Sequence, residues 1–311
     1  MNNNETDLIS ILNISLGSEV VEYLNNDDVI EIYVNDDNKL WIDTLSKGRK
    51  YTGIEVNPQS TKNVIFLVAS SVNTEVNPVN PIISAELPGT GNRFEGSIPP
   101  VVKNPTFNIR KKAIRIFSLQ DYVTTGTMTE NQYNVICEAV KRRENILVAG
   151  GTGSGKTTLC NAIIKEMARY EERIVIIEDT QELQCSCEDK VFLRTSDTVD
   201  ERALLKSTLR RRPDRIIIGE IRDGAALNLL KAWNTGHPGG ICTIHANSAL
   251  DALGQLESYI SEVSLLPQQK TISKVVNLII NIKKEGLKRV ISEIVRVEGL
   301  DSKGNYIIKE V

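Results

Sequence analysis

An α/β fold with a parallel central sheet, preceded by a smaller α+β domain, is the fold class predicted by this 311-residue sequence. Three observations predict it. From Asn131 onward, short continuous aliphatic runs alternate with segments of helical periodicity. Before about residue 115 the strand-like runs alternate in polarity instead. A glycine-rich loop, 150–158, joins one of the aliphatic runs to a helical segment.

In chain order, Ile9 to Leu24 reads as an amphipathic helix. Val29 to Val34 and Lys39 to Asp43 read as strands joined across Asn35-Asp36-Asp37-Asn38, a hairpin signal. Further strands are expected at Lys50 to Val56, Ile82 to Leu87 and Thr106 to Arg110, with a helix near Thr61 to Val72. These elements form a first domain, 1–115; a linker follows at 116–130, and a second domain occupies 131–311. In that second domain the runs Ile146 to Val148, Ile174 to Ile177, Ile216 to Ile218 and Ile241 to Ile244 are apolar throughout, as strands covered on both faces require. Leu287 to Val297 and Tyr306 to Val311 read as a terminal hairpin around Asp301-Ser-Lys-Gly-Asn305.

Composition narrows the function classes. The net charge is −3 with basic residues spread along the chain, so no dedicated surface for sequence-specific nucleic-acid binding is expected. Five cysteines with no C-x-x-C pair argue for a reducing compartment. No apolar stretch approaches the ~18 residues of a transmembrane helix, and the amino terminus lacks the basic start of a secretory signal. A cytoplasmic protein is expected, with any membrane association peripheral and through a partner.

The chemistry begins at Gly150-Gly151-Thr152-Gly153-Ser154-Gly155-Lys156-Thr157-Thr158, which satisfies the phosphate-binding pattern G-x-x-x-x-G-K-[ST]. Its glycines let successive N–H groups face an anion, Lys156 brings charge to the outer phosphates, and the Thr157 hydroxyl can ligate Mg²⁺. The preceding strand and the apolar spacing of Leu159, Ile163 and Met167 supply the strand–loop–helix context the motif needs. Nucleoside triphosphate binding, with ATP and Mg²⁺ as ligands, is the expectation.

In open α/β sheets the ligand sits beyond the carboxyl ends of the strands. Three further strands end there in Glu178-Asp179, in Gly219-Glu220 and in His245. Triphosphate hydrolysis needs a held metal and a group that orients water, and carboxylates supply both. Glu220 is the first candidate for water activation or metal coordination and Glu178 the second. His245 is the candidate γ-phosphate sensor; His237, the other histidine, shares its segment.

Several of these stretches carry a family resemblance. Leu209-Arg-Arg-Arg-Pro-Asp-Arg-Ile-Ile-Ile-Gly-Glu-Ile-Arg-Asp223, Lys231-Ala-Trp-Asn-Thr-Gly-His-Pro-Gly-Gly240, Arg93-Phe-Glu-Gly-Ser-Ile-Pro-Pro-Val-Val102 and Pro105-Thr-Phe-Asn-Ile-Arg110 resemble the type II/IV secretion-system ATPases, nearest to their conjugal-transfer, TrbB-like branch. The likeness runs from about Asp28 to the carboxyl end. A generic Walker B strand has Asp where Gly219 stands, whereas glycine before the glutamate is this family's wording. The resemblance implies a RecA-like ATPase domain closed over by the first domain, a homohexameric ring, and channel proteins of an inner-membrane conjugation or secretion system as partners. It also implies Walker B, aspartate-box and histidine-box roles for Glu220, Glu178 and His245, and phosphate-contacting arginines at Arg93 and Arg110. Arg210 and Arg222 rank lower and are equally compatible with subunit interfaces.

The function that follows is an ATP-hydrolysing motor that couples binding and hydrolysis to interdomain movement and powers channel assembly or substrate transfer. Two readings compete with it. One is a RecA-type nucleic-acid-dependent ATPase; the other is a nucleotide-gated adaptor with negligible hydrolysis.

Overall fold

The computed structural model describes residues 3–112, 116–196 and 198–311. The chain divides into two compact units, Met1–Ile114 and Arg115–Val311. The expected domain boundary at 115 lies outside the described residues.

The first unit runs α1 (Asn3–Leu16), α2 (Ser18–Asn25), β1 (Val29–Val34), β2 (Lys39–Thr44), β3 (Gly48–Glu55), α3 (Pro58–Ser71), β4 (Ile82–Leu87), β5 (Asn92–Ser97) and β6 (Thr106–Arg110). The single helix expected over 9–24 is two helices, because Gly17 takes φ 84°, a left-handed conformation that ends α1 and starts α2. Asn57 caps α3 by accepting from the Gln59 N–H, and Pro58 opens it, a position where a missing N–H costs nothing. The strands form one antiparallel sheet in the order β3-β2-β1-β6-β5-β4. One face buries Ile32, Val34, Leu40, Ile42, Phe94, Phe107 and Ile109 with Val64, Ile65 and Val68 of α3. Strand β5 has no counterpart in the sequence expectations: its buried positions include Asn92 and Gly96, and a Cβ at Gly96 would stand 2.9 to 3.1 Å from Phe94, Ile65 and Ile83. Close packing there demands a residue that looks like a strand breaker.

The second unit runs α4 (Leu119–Thr124), α5 (Glu130–Lys141), β7 (Ile146–Ala149), α6 (Lys156–Met167), β8 (Ile174–Glu178), β9 (Lys190–Arg194), α7 (Glu201–Thr208), β10 (Arg215–Ile218), α8 (Ala225–Asn234), β11 (Ile241–Ile244), α9 (Ala249–Ser261), α10 (Gln269–Val275), β12 (Leu278–Glu285), β13 (Lys288–Leu300) and β14 (Tyr306–Glu310). A 3-10 turn, Leu209–Arg211, follows α7. The eight strands order as β14-β13-β12-β7-β11-β10-β8-β9. From β12 to β9 every neighbouring pair is parallel; β13 and β14 pair antiparallel.

The aliphatic runs are explained by burial on both faces. Ile146, Val148, Ile174, Ile176, Ile217 and Ile241 point into one core, while Leu147, Ala149, Ile177, Ile216, Ile218, Cys242 and Ile244 point into the other. Each buried aliphatic side chain contributes about 1.5–3 kcal/mol. The terminal hairpin is β13 with β14. Strands β9 and β12 were not anticipated. β12 lies beside β7, and its exposed tail Lys283 to Glu285 continues into a turn at Gly286 with φ 62°.

The linker expectation for 116–130 needs correction. Ser118 and Asp121 close a capping box at the start of α4, and Thr129 and Gln132 close another at α5. Leu119, Tyr122 and Met128 are buried in the second unit's core, and the Ile291 N–H donates to the Thr127 carbonyl. The stretch is folded into the second unit because its apolar residues have a core to enter.

Candidate functional site

The loop 150–155 connects β7 to α6. Gly153 and Gly155 take φ 68° and 101°, and no side chain caps the start of α6. The first-turn N–H groups of that helix are therefore available to an anion. A Cβ at Gly150 would meet the Ile282 carbonyl at 2.4 Å and Ser154 Oγ at 2.5 Å, so the loop closes against β12 at a point only glycine allows. Nothing lies within 4 Å of a Cβ at Gly151 or Gly153, so the other side of the loop is open. Ser154 Oγ is buried without a hydrogen-bond partner among the described residues. This curled backbone with an uncapped helix behind it fits a polyphosphate. Thr152 and Gly151 are exposed on it, while Thr157 and Thr158 lie half-buried in the first turn of α6.

Lys156 is 8 % exposed, with its ammonium 2.9 Å from the Gly150 carbonyl and 3.0 Å from that of Gly151. The same Nζ stands 3.3 Å from Nδ1 of His245. An ammonium can only donate, so Nδ1 is the acceptor and the imidazole proton resides on Nε2. That Nε2 is 2.6 Å from Glu220 Oε1. Among the described residues the oxygen has no well-aligned donor, and it is buried, so the pair is a close polar contact rather than a good hydrogen bond. Arg222 holds the other oxygen, Oε2, through Nε at 2.9 Å and through Nη2.

Glu178 completes the row. Its Oε1 accepts from the N–H groups of Glu182 at 3.0 Å and Leu183 at 2.9 Å, fixing the loop after β8. Its side chain lies over Gly219, where a Cβ would be 2.9 Å from Glu178 Cγ. This accounts physically for glycine at the position before Glu220: any larger residue would push Glu178 away. The Thr243 hydroxyl donates to the Gly219 carbonyl at 2.7 Å, and the Ile221 N–H to the Thr243 carbonyl at 3.0 Å, which ties the end of β10 to β11.

The strands β7, β11, β10 and β8 are consecutive neighbours, so Lys156, His245, Glu220 and Glu178 meet at one sheet edge. His237 does not join them. It precedes β11 at the opposite edge, where its Nδ1 donates to the Pro213 carbonyl at 2.7 Å. Arg93 and Arg110 belong to the first unit, where they are register partners on β5 and β6. Arg110 Nε is 3.9 Å from Glu31 Oε1 on β1. Among the described residues no group of three or more His, Cys, Asp or Glu side chains could hold a metal by itself. A Thr157 hydroxyl and one carboxylate suit Mg²⁺ that shares phosphate oxygens, since this ion takes few protein ligands.

Two further residues stand beside the row, Arg222 on Glu220 and the half-buried Glu201. The Glu201 carboxyl is pushed up to about 8 by burial, then by the charges of Asp223 and Asp179. Its Oε1 is buried without a hydrogen-bond partner among the described residues. The Glu-x-Arg spacing of Glu220 and Arg222 was visible in the sequence; the burial of Glu201 had no local signal.

The type II/IV secretion system protein family matches residues 58–293. A probable conjugal transfer protein TrbB of Sinorhizobium fredii is 49% identical over 304 residues, covering 97% of this chain and 93% of that protein. The type IV secretion system protein VirB11 of Bartonella quintana is 32% identical, covering 77% of this chain and 78% of its own. The fold is shared with the ATPase DotB of Legionella pneumophila, at TM-score 0.62 and 20% identity over 92% of this chain and 80% of that one. With a matching segment that spans most of the sequence and relatives aligned along both units, the chain belongs to the type II/IV secretion system protein family.

Proposed function

We propose that this protein is the ATP-hydrolysing motor of a conjugation or type IV secretion system. The observation that carries the reading is the continuous row Lys156–His245–Glu220, with Glu178 beside it, at the carboxyl edge of four adjacent parallel strands. Relatives named for conjugal transfer and type IV secretion supply the biological setting.

In this reading the N–H groups of Gly151, Thr152, Gly153, Ser154, Gly155, Lys156, Thr157 and Thr158 receive the phosphates of ATP. Lys156 exchanges its loop carbonyls for phosphate oxygens, and Thr157 and Glu220 hold Mg²⁺. Bound Mg²⁺ supplies neutralisation of charge on the phosphate oxygens. Glu220 orients the attacking water and accepts its proton, supported by Glu178. His245 stands between Lys156 and Glu220, so a terminal phosphate that draws on the lysine is felt at the carboxylate. Arg93 and Arg110 add positive charge from the first unit, as phosphoryl transfer requires.

The RecA-like second domain and the first domain would then move relative to one another with the nucleotide, in a homohexameric ring docked on channel proteins at the inner face of the membrane. Among the described residues no helix is long and apolar enough to cross a membrane, which suits a peripheral attachment. Phosphate release from Glu220→Gln tests the reading: hydrolysis is expected to fall by roughly 10²–10³-fold, the scale of losing one transition-state group. Equal turnover in variant and parent would remove hydrolysis at this site from the account.

A further inference from the structure

We infer that Arg222 is a positioning residue for the reaction, one that divides the two oxygens of Glu220 between an anchoring task and a reacting one; the inference rests on the hydrolytic reading of the site. Three guanidinium nitrogens are engaged. Nε and Nη2 both donate to Glu220 Oε2, and Nη1 reaches Asp179 Oδ2 at 3.4 Å. Asp179 is itself fixed, its Oδ1 accepting from the Thr195 hydroxyl at 2.9 Å and its carbonyl from Arg194 Nε at 3.0 Å. The fork therefore ties the end of β10 to the β8–β9 edge.

A carboxylate on a three-torsion side chain rotates freely unless one oxygen is pinned, and two donors converging on Oε2 pin it. The consequence falls on Oε1. It lies beside His245 Nε2, it is buried, and among the described residues no aligned donor uses its lone pairs. An oxygen in that condition is suited to accept a hydrogen bond from a water on the phosphate side. Arg222 touches none of the reacting atoms in this scheme; its guanidinium acts through Glu220. Half of its side chain is exposed, so its energetic contribution to folding is small and its value lies in orientation.

The geometry separates Arg222 from a nucleotide-binding role, and the test uses that separation. ATP turnover, affinity for ADP and for a non-hydrolysable ATP analogue, melting temperature and assembled mass are measured on the full chain for the parent, Arg222→Gln, Arg222→Lys and Asp179→Asn. The expected pattern is a fall in kcat of at least about tenfold in Arg222→Gln, with KM and both affinities within about threefold of the parent. Arg222→Lys, which keeps the charge but not the fork, recovers part of that loss, and Asp179→Asn shows a smaller fall of the same kind. Unchanged kcat in Arg222→Gln overturns the inference while leaving the hydrolytic reading intact. So does a fall that tracks lost nucleotide affinity, lost assembly or a lowered melting temperature. A parent protein that binds both nucleotides and hydrolyses neither removes the reading beneath it as well. Should Arg222→Gln fail to fold, the lysine and asparagine variants decide the matter by the same pattern.

Discussion

Two polar clusters cap the opposite ends of the same four strands in the second unit, and they are built on opposite principles. At the amino edge Arg215, only 1 % exposed, spends its guanidinium fully: Nε on Glu172, Nη1 on the Gly239 carbonyl at 3.1 Å and Nη2 on the Val140 carbonyl at 3.0 Å. Arg143 adds a second contact to Glu172, and the Asn145 side chain joins the N–H groups of Gly239 and Gly240 to the Val275 carbonyl. At the carboxyl edge His245, Glu220 and Arg222 are partly open to solvent, and Ser154 Oγ and Glu220 Oε1 are buried without a hydrogen-bond partner among the described residues. Residue types barely differ between the two ends. Among the described residues each end keeps a buried polar atom without a hydrogen bond, Arg143 Nε at the amino edge included, so what differs is access: Arg215 is sealed inside its cluster, whereas His245 and Arg222 stay open to a ligand from solvent.

This contrast can be broken by experiment, and the largest expected effect is on activity. Lys156→Ala should lower phosphate release by about 10²–10³-fold while moving the urea midpoint less than the loss of Arg215 does, because its bonds are to two carbonyls of the loop and not to a buried countercharge. Arg215→Met should do the reverse. Removing one partner of a buried pair leaves Glu172 without its main cation, and a loss of about 3–5 kcal/mol in urea unfolding is expected with turnover per folded molecule retained. If Arg215→Met instead spared stability and abolished turnover, the amino edge would have to be read as part of the site.

Finer tests sharpen the same division. Gly219→Ala forces a Cβ against Glu178, so a loss of about 1–3 kcal/mol is expected together with a fall in turnover, read from urea curves and phosphate release on the same preparation. The two histidines should part company. His237→Ala should cost about 0.5–1.5 kcal/mol for its bond to Pro213 and leave kcat unchanged, whereas His245→Ala should lower kcat and leave the melting temperature nearly unmoved.

A separate effect is a pH slope. Because the folded chain holds the Glu201 proton up to about 8, against an ordinary value of 4.5, it binds more protons than the unfolded chain between those limits. This group's contribution to stability is therefore complete at acid pH and is lost as pH rises through that window. Melting curves of Glu201→Gln across the same range should lack that part of the decline; identical slopes would mean that the carboxyl ionises as readily folded as unfolded.

By itself the sequence determined the parallel-sheet frame, since a strand buried on both faces must be apolar at every position, and runs such as Ile174 to Ile177 have no other economical use. It determined the phosphate loop as well, because anion binding by backbone N–H groups needs glycines, a lysine and a hydroxyl at fixed local spacing. The rest was less legible: in the first unit β5 carries Asn92 and Gly96 at buried positions, and in the second unit 116–130 carries turn residues although its apolar side chains enter a core. Only the tertiary structure decided which of two histidines eight positions apart stands beside Lys156. Strand β11 runs between them and carries one to each edge. The tertiary structure also decided why glycine precedes Glu220 and which oxygen of that glutamate is pinned, because both depend on side chains from β8 and β10 that meet in space across more than forty residues of sequence. Local spacing is written along the chain, whereas burial and the sharing of donors arise from contacts between strands that the chain order does not make adjacent.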